Sequence, residues 1–176
     1  MTLLINRSDV QRLLPMPKAI DVLEAAFAEL DAGSAEMPDR TVIVDPIVGG
    51  WIAYMPAYLK SGGALGVKAV TVYKGNPEQF GLPTTIGMIL VQDKQTGVVV
   101  AVMDGGLLTG IRTGAASGVA TRHLARKDSK VAGVLGTGVM ARGQILALIE
   151  AADLDKILVY SRSDKSAQHF FADEFS

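Results

Sequence analysis

A glycine-rich turn between an apolar run and a helical pattern is the clearest chemical feature of the sequence. Gly136, Gly138 and Ala141 form the pattern G-x-G-x-x-A directly after the apolar run 131–135. In such a turn the first glycine permits a tight bend, the second lets the backbone approach a diphosphate, and the small third residue lets a helix pack on a strand. The N–H groups at the start of that helix would then face the phosphates. The spacing predicts a dinucleotide site, and the competing interpretation is an ordinary glycine turn.

The end of the next apolar run decides between two dinucleotides. The run 156–160 leads into Ser161, Arg162 and Ser163, and the first carboxylate after it belongs to Asp164. A carboxylate at this position would accept hydrogen bonds from a ribose 2′-hydroxyl, whereas guanidinium and hydroxyl donors bind phosphate oxygens. These residues favour NADP(H) over NAD(H). The alternative is a solvated Arg162 and a Ser163 that caps the following helix, and capping is compatible with phosphate binding.

The turn and the second run need a framework of alternating strands and helices. The two apolar runs are typical of short buried strands, the turn leads into one helix, and a second helix is expected within 161–176. This βαβα order is typical of the opening of a parallel, doubly wound sheet. The charged stretch 126–130 lacks apolar periodicity and predicts a surface connection. We therefore expect one domain over 1–126 and a second over 127–176.

The first part of the chain has a different texture. Residues 17–32 place apolar side chains at helical spacing and predict a helix. Between residues 40 and 103, runs rich in β-branched residues and tyrosine, interrupted by Gly, Pro and Asp, predict successive strands. The polar segment 93–97, which closes on a glycine, predicts that the last two of these strands form an antiparallel hairpin.

A second helix, predicted over 109–125, contains glycines at a regular spacing. Gly110, Gly114 and Gly118 recur every four residues and therefore share one helix face. Each glycine costs about 1 kcal/mol relative to alanine in a helix interior. The spacing predicts that something passes very close to this face, either the backbone of a packed helix or a ligand.

The composition limits the classes of function. Apolar residues make up 49% and charged residues 20% of the chain, and 17 basic and 18 acidic side chains give a net charge of −1, which disfavours nucleic-acid binding. The absence of cysteine excludes disulfides and thiolate metal sites, and His123 and His169 lack metal or triad partners at a suitable spacing, so no metal is expected. No signal peptide or membrane span is recognised, so we expect a cytoplasmic protein.

Three cationic side chains are candidates for binding an anion. Lys68 shares a strand face with small and apolar residues, where a lysine is costly to bury without an anionic partner; the alternative is an edge strand from which it reaches water. Arg112 falls in the first turns of its predicted helix, where the helix dipole disfavours a cation unless an anion is near. Arg40 stands at the entrance to a strand, where local sequence favours a surface pair with Asp39 or Asp45.

Five motifs occur in a fixed order along the chain. They are MPDR at 37–40, GALGVKAVTVY at 63–73, GLPT at 81–84, TGIRTGAASGVA at 109–120 and GTGVMARGQ at 136–144. The motif MPDR alone is weak evidence for any family, whereas RTGAAS followed by the glycine turn is a specific combination. Over nearly the whole chain this order resembles the ornithine cyclodeaminase and mu-crystallin family.

The resemblance implies a mixed α/β fold and a set of site residues. An N-terminal α+β domain with a mostly antiparallel, curved sheet would bind substrate and form a homodimer, and a truncated Rossmann-type parallel sheet would follow. By resemblance, Arg40, Lys68 and Arg112 bind the substrate carboxylate, with Lys68 as the catalytic candidate. The positions that match cofactor-lining residues are Thr84, Arg112, Val139 and Met140, with Ser161 where NAD-specific relatives carry an acid.

The resemblance also implies an activity. It points to an NAD(P)(H)-dependent oxidoreductase that acts on a small α-amino or cyclic imino acid, as a ketimine or pyrroline-carboxylate reductase or an alanine-type dehydrogenase. The first alternative is an ornithine cyclodeaminase that recycles bound NAD. The second alternative is a non-catalytic nucleotide- or ligand-binding protein. The family's acid/base aspartate is expected beyond Ser176, so we also expect the chain to be a fragment.

Overall fold

The chain folds into two compact units. The computed structural model describes residues 1–163, 168 and 170. The first unit consists of Met1–Leu13 and Ala25–Leu108, and the second of Leu14–Glu24 and the chain from Thr109 onward. The compact units are thus not divided at residue 126, and the assignment of 1–126 to substrate binding and dimerisation and of 127–176 to nucleotide binding remains a prediction.

A seven-stranded sheet dominates the first unit. Its strands are β1 (Leu3–Ile5), β2 (Ala35–Glu36), β3 (Thr41–Asp45), β4 (Gly50–Leu59), β5 (Ala64–Tyr73), β6 (Thr85–Gln92) and β7 (Val99–Asp104). Their order is β1-β7-β6-β5-β4-β2, with β3 also paired to β4. The β1–β7 pair is parallel and the other pairs are antiparallel. The predicted succession of strands in a mostly antiparallel sheet is confirmed.

Three helices accompany the sheet. They are α1 (Arg7–Leu13), α2 (Met16–Asp31), which the unit division cuts at Glu24, and the short α3 (Asn76–Phe80). The helix predicted over 17–32 is confirmed within one residue at each end. Glu29 of α2 accepts hydrogen bonds from the N–H groups of Ser61 and Gly62 at 3.1 and 2.8 Å, which holds the turn between β4 and β5.

The predicted β6–β7 hairpin is confirmed, and its turn is closed by a single aspartate. The N–H of Asp93 donates to the carbonyl of Val98 at 2.9 Å. The Asp93 carboxylate accepts hydrogen bonds from the N–H and the hydroxyl of Thr96 at 2.8 and 2.7 Å. Gly97 has φ +72°, a left-handed conformation that glycine adopts without strain. The hydrogen bonds from Thr96 lower the pKa of Asp93.

The two faces of the sheet differ in exposure along the central strands β4, β5 and β6, whereas on the edge strand β3 apolar residues of both faces are exposed. Alternation along the paired strands places Lys68 on the same face as the buried residues Ala53, Val70 and Ala101, and we call this the covered face. The opposite face, which we call the open face, carries exposed apolar side chains. They are Ile43, Tyr54, Ile86 and Met88, exposed by 57, 43, 44 and 55%.

The second unit contains a parallel strand pair and two longer helices. Its elements are the start of α2, most of α4 (Gly105–Leu124), β8 (Val131–Leu135), α5 (Ala141–Ala151) and β9 (Lys156–Tyr160). β8 and β9 pair in parallel, in register from Val131–Lys156 to Leu135–Tyr160, so the predicted strand–helix–strand order is confirmed. The helix predicted within 161–176, together with His169, lies outside the described residues except at 168 and 170. Across the described part of the chain, no helix is both long and apolar enough to cross a bilayer.

The glycines of α4 are explained by helix packing. Gly114 faces the backbone of Gly143 on α5, and a Cβ atom on Gly118 would lie 2.8 Å from Cδ1 of Ile20 on α2. Ile20 is fully buried in a cluster that includes Ala115. Of the two interpretations of the glycine spacing, a closely packed helix is therefore the one observed within this unit.

The start of α4 corrects the expectation for Arg112. The helix begins at Gly105, and Asp104 caps it by accepting a hydrogen bond from the N–H of Leu107 at 2.8 Å. Two glycines at the first positions hid this start, because glycine is a weak helix former. Arg112 thus lies in the third turn of α4, not in its first turns, and the helix-dipole argument for a nearby anion was wrong.

Charged side chains join α2 to α4 within the second unit. Arg122 forms ion pairs with Asp21 at 2.7 Å and Glu24 at 3.1 Å, and the Nε2 atom of His123 lies 2.5 Å from the Glu24 carboxylate. The hydrogen bond with His123, and then that with Arg122, lowers the pKa of Glu24. His123 is largely exposed, as expected for a surface residue.

Candidate functional site

The glycine turn begins directly after the last residue of β8. Gly136 has φ +101°, which L side chains rarely adopt, so the bend requires glycine. Its N–H donates to the carbonyl of Tyr160 at 2.7 Å, which links the end of β8 to the end of β9. This bond holds the turn and the residues after Tyr160 at one end of the strand pair.

The start of α5 is open to a ligand. The N–H of Ala141 donates to the carbonyl of Gly138 at 2.9 Å, and the first turn of α5 has no side-chain cap. A Cβ atom on Gly138 would meet no atom within 4 Å, so packing in the protein does not require glycine there. Val139 is 94% exposed and Met140 is 37% exposed. The backbone at this point is accessible, which is the condition for close approach of a diphosphate.

Ala141 packs the helix onto the strand pair. It is buried together with Ile145, and this cluster contacts Val134 of β8 and Ile157 and Val159 of β9. A small residue lets the first turn of α5 approach the strands closely, as the third position of the glycine pattern predicts. The cluster positions the start of α5 beside the ends of both strands.

A cavity of about 600 Å³ lies at this end of the unit. It is lined by Gly136, Thr137, Gly138, Ser161, Arg162 and Ser163. The lining offers backbone N–H groups, three hydroxyls and one guanidinium, and no carboxylate among the described residues; Asp164 lies outside them. This donor set suits a phosphorylated ligand and fits the phosphate groups of a dinucleotide.

One hydrogen bond crosses this cavity wall. Oγ1 of Thr137 lies 3.2 Å from Oγ of Ser161, and either atom is able to donate. The prediction from sequence did not include Thr137, although a hydroxyl residue between two glycines was a visible signal. The structure thus brings together the glycine turn and the predicted residues Ser161, Arg162 and Ser163.

In the first unit, Lys68 and Arg40 lie on different elements of the sheet. Lys68 of β5 pairs with Met55 of β4, and Arg40 directly precedes β3, outside its paired residues. Lys68 is half-buried on a central strand, so the edge-strand alternative was wrong.

Arg40 does not form the surface pair that local sequence favoured. It is exposed, and within the described part of the chain no ion pair joins it to Asp39 or Asp45. The Asp45 carboxylate instead accepts hydrogen bonds from the N–H groups of Ile47 and Val48, at 2.8 and 3.3 Å, in the turn after β3.

Thr84 and Arg112 are two further predicted residues, one in each unit. The carbonyl of Thr84 accepts a hydrogen bond from the N–H of Tyr73 at 2.9 Å, and Tyr73 is five residues from Lys68, or roughly 16 Å along β5. Thr84 is half-buried and directly precedes β6. Arg112 belongs to the second unit and is exposed on α4.

Comparison with known proteins places these features in context. The model of the ornithine cyclodeaminase/mu-crystallin family matches residues 1–175. An alanine dehydrogenase from Archaeoglobus fulgidus is 36% identical over 169 residues, which cover 96% of this chain and 51% of the relative. The chain thus spans about half the length of the curated relatives it matches.

Two solved structures share the fold at similar coverage. The Thermococcus litoralis Δ1-pyrroline-2-carboxylate reductase, in complex with NADH and L-proline, superposes with a TM-score of 0.91 at 46% identity and covers 98% of this chain and 53% of its own. An archaeal alanine dehydrogenase dimer with bound NAD gives a TM-score of 0.90 at 36% identity, with 97% and 52% coverage.

Proposed function

The chain belongs to the ornithine cyclodeaminase/mu-crystallin family, and on that premise we propose that it binds a nicotinamide dinucleotide and serves an oxidoreductase acting on a small α-amino or cyclic imino acid. The observation that carries the proposal is the cavity around Gly136 and Gly138, whose lining is rich in donors and lacks a carboxylate among the described residues. When bound, the nicotinamide supplies the hydride chemistry, and the protein supplies position and charge.

The glycine turn and the start of α5 bind the diphosphate in this proposal. The accessible backbone at Gly138 and the uncapped first turn of α5 present N–H groups and the positive end of the helix dipole to phosphate oxygens. Val139 and Met140, at the same turn, line the cofactor.

We further propose that NADP(H) is preferred over NAD(H). Ser161, Arg162 and Ser163 follow β9 where an acid would otherwise accept hydrogen bonds from a ribose 2′-hydroxyl, and all three line the cavity. A guanidinium and two hydroxyls are complementary to a dianionic 2′-phosphate. The named reductase from Thermococcus litoralis was solved with NADH, so the preference is a property to be measured in this chain.

The substrate carboxylate is assigned to cationic residues of the first unit. In this proposal the carboxylate accepts hydrogen bonds from Lys68 of β5 and from Arg40, which directly precedes β3. Lys68 is half-buried on the central strand β5, which positions its side chain. On family resemblance alone, Arg112 is proposed to bind both substrate and cofactor, and Thr84 to bind the cofactor.

Among activities of the family, reduction or dehydrogenation is favoured over cyclodeamination. A redox-neutral cyclisation that recycles its own NAD has no use for the cellular NADPH pool, so a site suited to a 2′-phosphate favours a reductase. The relatives named above are alanine dehydrogenases and a pyrroline-carboxylate reductase. The cyclodeaminase and the non-catalytic binding protein remain the alternatives that assays with ornithine and with dinucleotide alone would reveal.

Dinucleotide binding is the direct test. Titration of the chain with NADPH and NADH, followed by nucleotide fluorescence, is expected to show saturable binding that Arg162→Gln weakens for NADPH by about tenfold or more and for NADH much less. Arg126→Gln is the matched control, because Arg126 is exposed and pairs with Asp128 away from the cavity. Absence of binding of either dinucleotide by the unaltered chain would contradict the proposal.

Turnover assays with different substrates then distinguish an oxidoreductase from a cyclodeaminase. Oxidation of NAD(P)H by the protein is followed with Δ1-pyrroline-2-carboxylate and with pyruvate plus ammonia, and proline formation is followed with ornithine. Consumption of NAD(P)H with either of the first two supports the oxidoreductase. Proline formation from ornithine without net cofactor turnover would establish the cyclodeaminase instead.

We propose in addition that the protein forms a homodimer through the open face of the first-unit sheet. Ile43, Tyr54, Ile86 and Met88 make this face apolar, and exposed apolar patches on a sheet are typical of protein interfaces. The archaeal alanine dehydrogenase with the same fold is a dimer. A dimer would bury these side chains and remove them from water.

A further inference from the structure

Lys68 is the only ionisable side chain on the covered face of the sheet, counted over the paired residues of β1 to β7, all of which the structure describes. The three carboxylates of these strands, those of Glu36, Asp45 and Asp104, alternate onto the open face. Over these residues the covered face therefore carries one positive charge and no negative charge.

The part of the covered face around Lys68 is accessible. Lys68 lies between its two cross-strand partners, Met55 of β4 and Ile89 of β6, and all three side chains are half-buried. Ala53 and Val70, the next pair on this face, are buried. Cross-strand partners have their Cβ atoms roughly 5 Å apart. A small molecule bound by Lys68 therefore has Met55 and Ile89 as its nearest neighbours on the sheet.

A second ammonium group on the substrate would be unfavourable beside these residues. An amino or imino acid whose carboxylate is bound by Lys68 brings its side chain close to Met55 and Ile89, which offer no carboxylate. An ammonium group there loses hydration without gaining an anionic partner on the sheet, and the charge of Lys68 repels it. An uncharged side chain of the same length instead buries apolar surface against the two residues, which is favourable.

We propose that Met55 and Ile89 determine substrate specificity by accepting amino and imino acids with an uncharged side chain and disfavouring those with a second amino group. The proposal rests on the proposed binding of the substrate carboxylate by Lys68, and it narrows the substrate class within that function. It is independent of the dinucleotide preference, because it draws only on the sheet of the first unit. Ornithine, the substrate of a cyclodeaminase, carries the second amino group and belongs to the disfavoured class.

Two amino acids of equal length provide the test. L-Norvaline ends in a methyl group where L-2,4-diaminobutyrate ends in an ammonium group, so the two differ in charge and hardly in size. Each is titrated calorimetrically into the protein saturated with NADPH, where no hydride is transferred because both ligands are reduced. The Thermococcus litoralis reductase was solved in a complex of this kind, with NADH and L-proline. The unaltered chain is expected to bind norvaline more tightly than diaminobutyrate, by about tenfold or more.

Substitution of Met55 tests whether the sheet residue is responsible. Met55→Glu places a carboxylate beside the ligand and is expected to lower the ratio of norvaline to diaminobutyrate affinity by about tenfold or more. Met55→Gln, equal in length and uncharged, is the matched control and is expected to leave the ratio nearly unchanged. The ratio is the measured quantity because a carboxylate at this position also pairs with Lys68 and weakens the binding of both amino acids. If Met55→Glu does not fold, Ile89→Glu with Ile89→Gln takes its place.

The outcomes separate the inference from the function on which it rests. If the unaltered chain binds diaminobutyrate as tightly as norvaline, or more tightly, the inference is wrong, while the proposed function stands. If the glutamate variant leaves the ratio unchanged, or the glutamine variant lowers it equally, charge beside Lys68 does not set the specificity, which also overturns the inference. If the unaltered chain binds NADPH but neither amino acid, the proposed substrate site fails and the inference fails with it.

Discussion

Gly114 and Gly143 bring two helices of the second unit into backbone contact. A Cβ atom added to Gly114 would lie 2.2 Å from the carbonyl oxygen of Gly143, and one added to Gly143 would lie 2.7 Å from the carbonyl oxygen of Gly110. Real Cβ atoms do not approach backbone oxygens at these distances. The contact fixes α5, and with it the glycine turn that precedes α5, against α4.

This contact predicts opposite effects for two neighbouring glycines. Gly114→Ala forces α4 and α5 apart and is expected to reduce the free energy of unfolding by about 1–3 kcal/mol. Gly110→Ala, whose Cβ would meet no atom within 4 Å, is expected to be neutral or to stabilise by up to about 1 kcal/mol through helix propensity. Chemical denaturation of both variants is the measurement, and equal destabilisation would show that the helices are not in this contact.

Alanine substitutions at the two glycines of the turn are predicted to differ in their effect on the stability of the fold. Both are predicted to weaken dinucleotide binding. Gly136→Ala puts an L side chain at φ +101° and is expected to cost about 1–3 kcal/mol. Gly138→Ala has open space around the new Cβ and is expected to change stability by less than about 0.5 kcal/mol, yet to weaken dinucleotide binding. Thermal unfolding and nucleotide titration test the pair. Unchanged binding by a folded Gly138→Ala variant would contradict close approach of a diphosphate at this position.

Lys68 is predicted to bind the substrate and not the cofactor. Lys68→Met keeps the apolar stem and removes the charge, and it is expected to lower kcat/KM for the amino or imino acid by about 10- to 100-fold, as loss of a hydrogen bond to a charged group does. Lys74→Met, at an exposed position beyond the end of β5, is the control. Steady-state kinetics give kcat/KM for the substrate, and titration gives the affinity for NADPH, which is expected to stay unchanged. A similar decrease of kcat/KM in both variants would argue against a substrate carboxylate at Lys68.

Glu24 is predicted to make stability depend on pH in acid. Its pKa is lowered in the folded chain by His123 and Arg122, so its contribution is fully present above the ordinary glutamate range and is lost as the pH falls through the lowered pKa. The Tm of the unaltered chain is therefore expected to fall more steeply on acidification than that of Glu24→Gln. Glu150→Gln, on the exposed part of α5, serves as control, and parallel Tm curves for the unaltered chain and Glu24→Gln would refute the coupling.

The open face of the sheet is predicted to be the dimer interface. Ile86→Glu places a charge among Ile43, Tyr54 and Met88, and burying it in a dimer would be costly, so the variant is expected to be monomeric. Ile47→Glu is the control, since Ile47 is 92% exposed in the turn after β3 and lies off the face. Light scattering after size exclusion gives the mass of each variant. A dimeric Ile86→Glu protein would place the interface elsewhere.

The sequence by itself determined the features that depend on neighbouring residues. The glycine turn, the strand–helix–strand order around it and the β6–β7 hairpin were predictable, because turn formation and hydrophobic periodicity are local properties of the chain. The donor residues Ser161, Arg162 and Ser163 were predictable for the same reason, since they follow directly on a recognisable strand. The start of α4 was not predicted because Gly105 and Gly106 are weak helix formers. In the structure the helix begins there nevertheless, because the Asp104 carboxylate caps its first turn.

Only the tertiary structure decided which distant residues meet. Strand register placed Lys68 between Met55 and Ile89, helix packing explained Gly114, and the bond between the ends of β8 and β9 brought Thr137 to Ser161. Each of these contacts joins residues far apart in the chain, through hydrogen-bond ladders and close packing that involve other elements. Local pattern carries no information on such pairings, because the same pattern is compatible with many registers and packing partners.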